Sequence, residues 1–235
     1  MDREERLLKN FQAVQEALST ACKKAARDPR EVTLLAVTKY AATPDVLFLL
    51  KKGLIRHVGE SRVQQALSRW TSPEFAPFPV VKHLIGHLQH NKAAKAARFF
   101  DFIDSLDDFS TAVLIDTHVP EGKTIRGLVQ VKLTDRDTQS GLPLAQARDL
   151  ARKLRSLNRL KICGYMAIAP QGATAAQLKT LFGTVKQAFD EDFSATEERY
   201  LSLGMSADFT TAIEAGSTLP RIGSKLFAEN LEEAV

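Results

Sequence analysis

The chain is poor in cysteine and has no segment of low complexity. Only Cys22 and Cys163 occur among its 235 residues, far apart and in apolar surroundings. That spacing excludes a disulfide framework and a thiolate metal site, and it suits a reducing compartment. No apolar run is long enough to cross a bilayer. The opening Met1-Asp2-Arg3-Glu4-Glu5-Arg6 is acidic and turns helical at once, unlike a secretory leader, so a cytoplasmic location is expected. The formal charge is only +4. Its densest basic stretch, Lys82 to Arg98, has no interleaved aromatics for stacking bases and reads as a solvated helix face, so no nucleic-acid partner is expected. His87 and His90 stand three apart within it, with no evident carboxylate to complete a metal site, and no metal is expected.

What is present is an ordinary globular make-up, 44% hydrophobic and 26% charged, long enough to bury a core without staples. Leu7, Phe11, Val14, Leu18, Ala21 and Ala25 recur in steps of three and four, which predicts an amphipathic helix over residues 3–26 that ends at Asp28-Pro29. A rhythm then begins. Apolar runs of strand length start at Thr33, Ile55, Val80, Phe102, Ile125, Leu160, Tyr200 and Leu219, and each is followed by an amphipathic stretch; the last of these helices is read through Glu233. Strands of continuous apolar character alternating with helices imply a parallel sheet covered on its outer face. Eight such units predict an α/β fold: a single-domain (β/α)8 TIM barrel over residues 29–235, with residues 1–28 forming an extra helix packed outside it. An open doubly wound sheet is the alternative.

Chemistry in such a barrel sits at the carboxyl ends of the strands. Lys39 closes the first run (TLLAVTK) and shares a face with Leu35 and Val37, which puts its amine above the barrel core. It either snorkels to solvent or serves as an amine, since burial favours the neutral form that condenses with an aldehyde. After the seventh strand, Met205-Ser206 leads into a helix starting near Ala207, with Ser206 as its N-cap. After the eighth, Arg221-Ile222-Gly223-Ser224 leads into another. The serines are plain caps or donors to an anion at two helix starts. Gly223 lets backbone approach a ligand closely. Arg221 faces inward and needs a partner, either a ligand atom or a carboxylate such as Glu60. Together these residues suggest a phosphorylated aldehyde as ligand.

Across nearly its whole length the sequence resembles the pyridoxal phosphate homeostasis protein family, the single-domain relatives of the alanine racemase barrel. The segments that carry the likeness are LLAVTK (34–39), HVGES (57–61), HLIGHLQHNK (83–92), IDSLD (103–107), LVQVKL with SGL (128–133, 140–142), CGYMAIAP (163–170), LSLGMSADFTTAIEAGST (201–218) and RIGSKLF (221–227). The resemblance implies pyridoxal 5′-phosphate (PLP) as cofactor, held as a Schiff base on Lys39. It implies Ser206, Gly223 and Ser224 on the phosphate, Arg221 opposite the pyridine nitrogen, and Met205 lining the pocket. Where the family usually has asparagine, this chain has Ser61.

An arginine facing the ring nitrogen disfavours its protonation and weakens the ring as an electron sink. Racemases of related barrel type add a tyrosine base from a further β domain, and this chain ends soon after its last predicted strand. Tyr40 is expected to face away from Lys39, and Tyr165 and Tyr200 to be packing residues. The expectation is therefore a monomeric PLP carrier acting in vitamin B6 homeostasis and amino- and keto-acid balance, with apo-PLP enzymes as recipients and no turnover of its own. The alternatives are a PLP-dependent racemase or decarboxylase, and a barrel acting on a sugar phosphate through Lys39. The charged loop Thr134–Thr138 is read as solvated, at the barrel mouth where a lid would lie.

Overall fold

The computed structural model describes residues 2–134, 140–194, 196 and 198–229. Asp135, Arg136, Asp137 and Thr138 of the charged loop, and the predicted helix end at Glu233, lie outside them. The first helix, α1 (Arg3–Lys24), starts on a capping box in which Asp2 accepts from the backbone of Glu4 and Glu5 while Glu5 accepts from Asp2 N. Its buried stripe includes Leu7, Val14, Leu18 and Ala21, the face that the spacing of apolar residues predicts.

Eight parallel strands follow: β1 (Leu35–Val37), β2 (His57–Glu60), β3 (Val81–Leu84), β4 (Phe102–Leu106), β5 (Ile125–Lys132), β6 (Leu160–Ile168), β7 (Tyr200–Ser202) and β8 (Arg221–Ile222). Between and after them run α2 (Thr43–Lys51), α3 (Val63–Trp70), α4 (Ala93–Phe99), α5 (Phe109–His118), α6 (Leu144–Leu154), α7 (Ala175–Phe193), α8 (Phe209–Glu214) and α9 (Ser224–Phe227). The ladder order is β7-β6-β5-β4-β3-β2-β1-β8. Backbone bonds bridge the seam between β7 and β8, from Thr218 N and Leu219 N to Leu201 O and from Arg221 N to Gly204 O. The result is a nearly closed barrel, as eight strand–helix units require.

Alternation along the strands divides the apolar residues into two cores. Leu35, Phe102, Leu128, Cys163, Met166 and Leu219 cluster inside the barrel. Their neighbours Ala36, Ile103, Val129 and Ala167 belong to the larger layer beneath the helices. Each fully buried Leu or Phe contributes roughly 1.5–3 kcal/mol relative to exposure. Gly204 turns the chain out of β7 with φ +86, and a Cβ there would stand 2.6 Å from Ala212 Cβ.

The N-terminal helix also fixes the last elements of the chain. Asn10 Nδ2 donates to Leu226 O and Ala228 O, and Arg6 Nη1 donates to Phe227 O and Ala228 O. Arg27 Nη1 donates to Ile213 O and Ser217 O at 2.8 Å each. These bonds hold α8 and α9, the two elements that border the barrel mouth.

Candidate functional site

A cavity of about 620 Å³ opens at the carboxyl end of the barrel, and Lys39, Met205, Ser206, Arg221, Gly223 and Ser224 all line it. Val37, Tyr40, Ile85 and Phe227 complete much of the wall. The ladder of β1 ends at Val37, two residues short of the predicted strand end, so Lys39 sits at the corner of a turn closed by Ala41 N donating to Thr38 O at 3.0 Å. Its side chain still reaches the face that Leu35 and Val37 define.

Arg221 points into the barrel and is 4% exposed. Glu60 does not meet it; that carboxylate accepts from Thr38 Oγ1 at 2.7 Å and Trp70 Nε1 at 3.3 Å. Arg221 is held by neutral oxygens instead: Nη1 donates to Ser202 O and Ser202 Oγ, and Nη2 donates to Ala167 O. Burial pushes its guanidinium down to about 10, with Asp104 and Asp208 opposing, so it stays cationic at neutral pH. Among the described residues Nε has no hydrogen-bond partner, which leaves a donor on the cavity wall.

Ser206 is not the N-cap of α8. Met205 O accepts from Asp208 N and Phe209 N, and Met205 N donates to Asp208 Oδ1; this turn delays the helix to Phe209. Ser206 is 7% exposed, and its Oγ instead accepts from Lys225 N at 3.4 Å, at the start of α9. The two serine loops therefore converge from opposite sides of one corner of the cavity. Gly223, the N-cap of α9, lies against β1: a Cβ there would stand 3.2 Å from both Val37 Cβ and Val37 O.

Two expectations about neighbouring residues change. Tyr40 is 90% exposed, yet it lines the cavity, and Lys39 Nζ lies 5.2 Å from its ring centroid. The rule of alternating faces holds within a strand and fails in the turn that carries both residues. His87 does have a carboxylate beside it, Asp107 at 3.5 Å, although no three metal donors converge among the described residues. Ser61 does not line the cavity; its carbonyl lies close to Gly86, where a Cβ would stand 2.2 Å from it.

A parallel barrel whose mouth combines a lysine amine, a buried arginine and two serine-bearing loops belongs to the class of barrels that hold an anionic ligand beside a reactive amine. Residues 9–230 match the family model of the alanine racemase N-terminal domain. The chain belongs to that family and, within it, to the pyridoxal phosphate homeostasis proteins. The relative of that name from Synechocystis sp. is 37% identical over 210 residues, covering 86% of this chain and 94% of its own. The Escherichia coli K12 protein is 33% identical over 226 residues, covering 93% and 94%. Among solved structures, PipY of Synechococcus elongatus with PLP bound has a TM-score of 0.76 and 32% identity, covering 92% of this chain and 100% of its own.

Proposed function

We propose that this chain holds PLP at the barrel mouth, anchored through Lys39, and serves intracellular PLP homeostasis as a carrier. One observation carries the reading: Lys39, Arg221 and the serines of both terminal loops line a single cavity. The donor set suits the molecule. Lys39 offers an amine for the aldehyde, and Ser206 and Ser224 offer hydroxyls to the phosphate while Gly223 leaves room for it beside backbone. Arg221 would offer a cation to the ring side of the cavity, and Met205 would help wall it. When bound, PLP supplies an aldehyde that condenses with amines and a ring that delocalises negative charge. Arg221 keeps a positive charge where a protonated ring nitrogen would need a carboxylate, which favours retention over turnover. The carrier is taken to be a cytoplasmic monomer passing PLP to apo-enzymes, with residues 1–28 as an accessory helix and residues 29–235 as the cofactor-binding barrel.

Tyr40 favours a second reading. Its ring beside Lys39 brings a phenol to the cavity, as a narrow racemase or decarboxylase would require.

The test is direct. Purified protein given PLP should become yellow, borohydride should fix the label on Lys39, and Lys39→Ala should remain folded and colourless. A protein that takes up no PLP overturns the cofactor. Amino-acid turnover that scales with protein concentration and is lost in Tyr40→Phe overturns the carrier role in favour of the second reading.

A further inference from the structure

We propose that Arg69 is the positioning residue for Lys39, acting through the backbone of the turn that carries it; the inference rests on Lys39 being the anchor. Strand hydrogen bonding does not reach Lys39, because β1 ends at Val37. Thr38 N still donates to Gly59 O and Ala41 N to Thr38 O, and the side-chain brace on this turn comes from α3. Arg69 Nη1 donates to Thr38 O at 2.7 Å, and Nη2 donates to Ala41 O at 2.9 Å. These carbonyls flank Lys39 and Tyr40 on either side, so one planar guanidinium spans the corner on which the amine stands. A lysine at 69 could reach one carbonyl at a time, whereas the arginine fork holds both in a fixed relation.

The fork is itself anchored. Glu60 is 2% exposed and lies 3.9 Å from Arg69 Nη1, so a buried carboxylate balances the guanidinium. The same carboxylate oxygen accepts from Thr38 Oγ1 and from Trp70 Nε1, the residue next to Arg69. Thr38 is therefore gripped through both its carbonyl and its hydroxyl. Turn, strand β2 and helix α3 form one hydrogen-bonded block, and Lys39 projects from it into the cavity. Neither Glu60 nor Arg69 lines that cavity, so their influence on a ligand passes through Lys39.

This arrangement separates a positioning role from a merely structural one. Full-length wild type, Arg69→Met, Arg69→Lys and Lys39→Ala would be titrated with PLP and with pyridoxine 5′-phosphate, which keeps the ring and phosphate but lacks the aldehyde. Loss of two charge-assisted bonds at the turn should weaken PLP binding in Arg69→Met by about tenfold or more and slow borohydride-fixable attachment to Lys39. Pyridoxine 5′-phosphate, held by the serine loops and Arg221, should bind within about twofold of wild type. Arg69→Lys should fall between and show the same contrast; it carries the test if circular dichroism shows Arg69→Met unfolded. Equal loss for both ligands, or no loss for either, overturns the positioning role. If wild type binds PLP and Lys39→Ala does not, such a result overturns the role of Arg69 alone and leaves the anchor standing. A wild-type protein that takes up no PLP overturns the proposed function, and this inference with it.

Discussion

Arg221 on β8 donates through one nitrogen, Nη1, to both the carbonyl and the hydroxyl of Ser202 on β7, each at 2.8 Å. The two strands share no ladder, so this contact helps close the barrel as well as holding a cation at its mouth. Arg221→Met would leave Ser202 O and Ala167 O buried without these donors and should cost about 1–3 kcal/mol in urea unfolding of the ligand-free protein. Ser202→Ala keeps the carbonyl bond but loses the hydroxyl that accepts from Arg221 and donates to Leu219 O, and should cost about 1–2 kcal/mol. A methionine variant as stable as wild type would mean that the two carbonyls find other donors.

The barrel interior contains a second polar string that does not line the cavity. His83 Nδ1 lies 3.1–3.2 Å from both oxygens of Asp104, and His83 Nε2 lies 2.9 Å from His57 Nδ1. Burial and the neighbouring His83 push His57 down to about 4 from the usual 6.5. Between those values the unfolded chain binds a proton that the folded chain refuses, so stability falls as pH drops from 6.5 towards 4. From pH 7 to pH 5 the loss due to this ring should be on the order of 1 kcal/mol, allowing for its partial exposure. Urea titrations at the two pH values should show that increment in wild type, and His57→Gln should lack it. The same pH dependence in both proteins would assign it to other groups.

Much of this architecture is legible in the sequence, because its signals are periodic. The strand starts read at Phe102, Ile125, Leu160 and Tyr200 match the structure, and the inward parity of Leu35, Val37 and Lys39 survives although the ladder stops at Val37. Errors arise where the chain leaves regular structure. A turn replaces alternation at Tyr40. The basic stretch from Lys82 to Arg98, read as one helix face, is strand β3 at Lys82, a short 3-10 turn over His90–Lys92 and helix only from Ala93. At Ser206 a cap motif is plausible by residue type, but Met205 O already takes the amides that would start the helix. Partners made of backbone carbonyls have no residue signature, so neither the fork of Arg69 nor the neutral setting of Arg221 could be read in advance. The weak hint for Arg69 is its place at the end of the helix that follows HVGES.

Asn10 offers a test of how far α1 supports the site. It is 2% exposed, an amide buried on an otherwise apolar stripe, and it donates to Leu226 O and Ala228 O at 3.2 and 3.0 Å. Asn10→Leu would fill the space and strip Leu226 O of its side-chain donor, leaving Ala228 O to Arg6, at a cost of about 1–3 kcal/mol. Because those carbonyls cap α9, whose first residue is Ser224, the variant should also weaken PLP binding by several-fold. Isothermal titration and thermal unfolding on the same preparation check both parts. Lost stability with unchanged PLP affinity would confine α1 to a packing role.

Gly223 tests the proposed phosphate corner separately from the proposed anchor. Its φ of −124 lies outside the left-handed region that favours glycine. The added Cβ would stand 3.2 Å from Val37 Cβ and from Val37 O, a tight contact that a shift of a few tenths of an ångström relieves. Gly223→Ala should therefore fold with a stability loss of no more than about 1 kcal/mol. The methyl nevertheless occupies the space between β1 and the start of α9, beside the two serine loops, where the proposed phosphate comes closest to backbone. PLP affinity should fall by about tenfold, a difference of about 1.4 kcal/mol. Pyridoxal, which lacks the phosphate but keeps the aldehyde for Lys39, should bind the variant and wild type equally, though weakly in both. Competition titrations against bound PLP distinguish the cases. A matching loss for pyridoxal would place the added methyl against the ring rather than the phosphate and would move the anion corner away from Gly223.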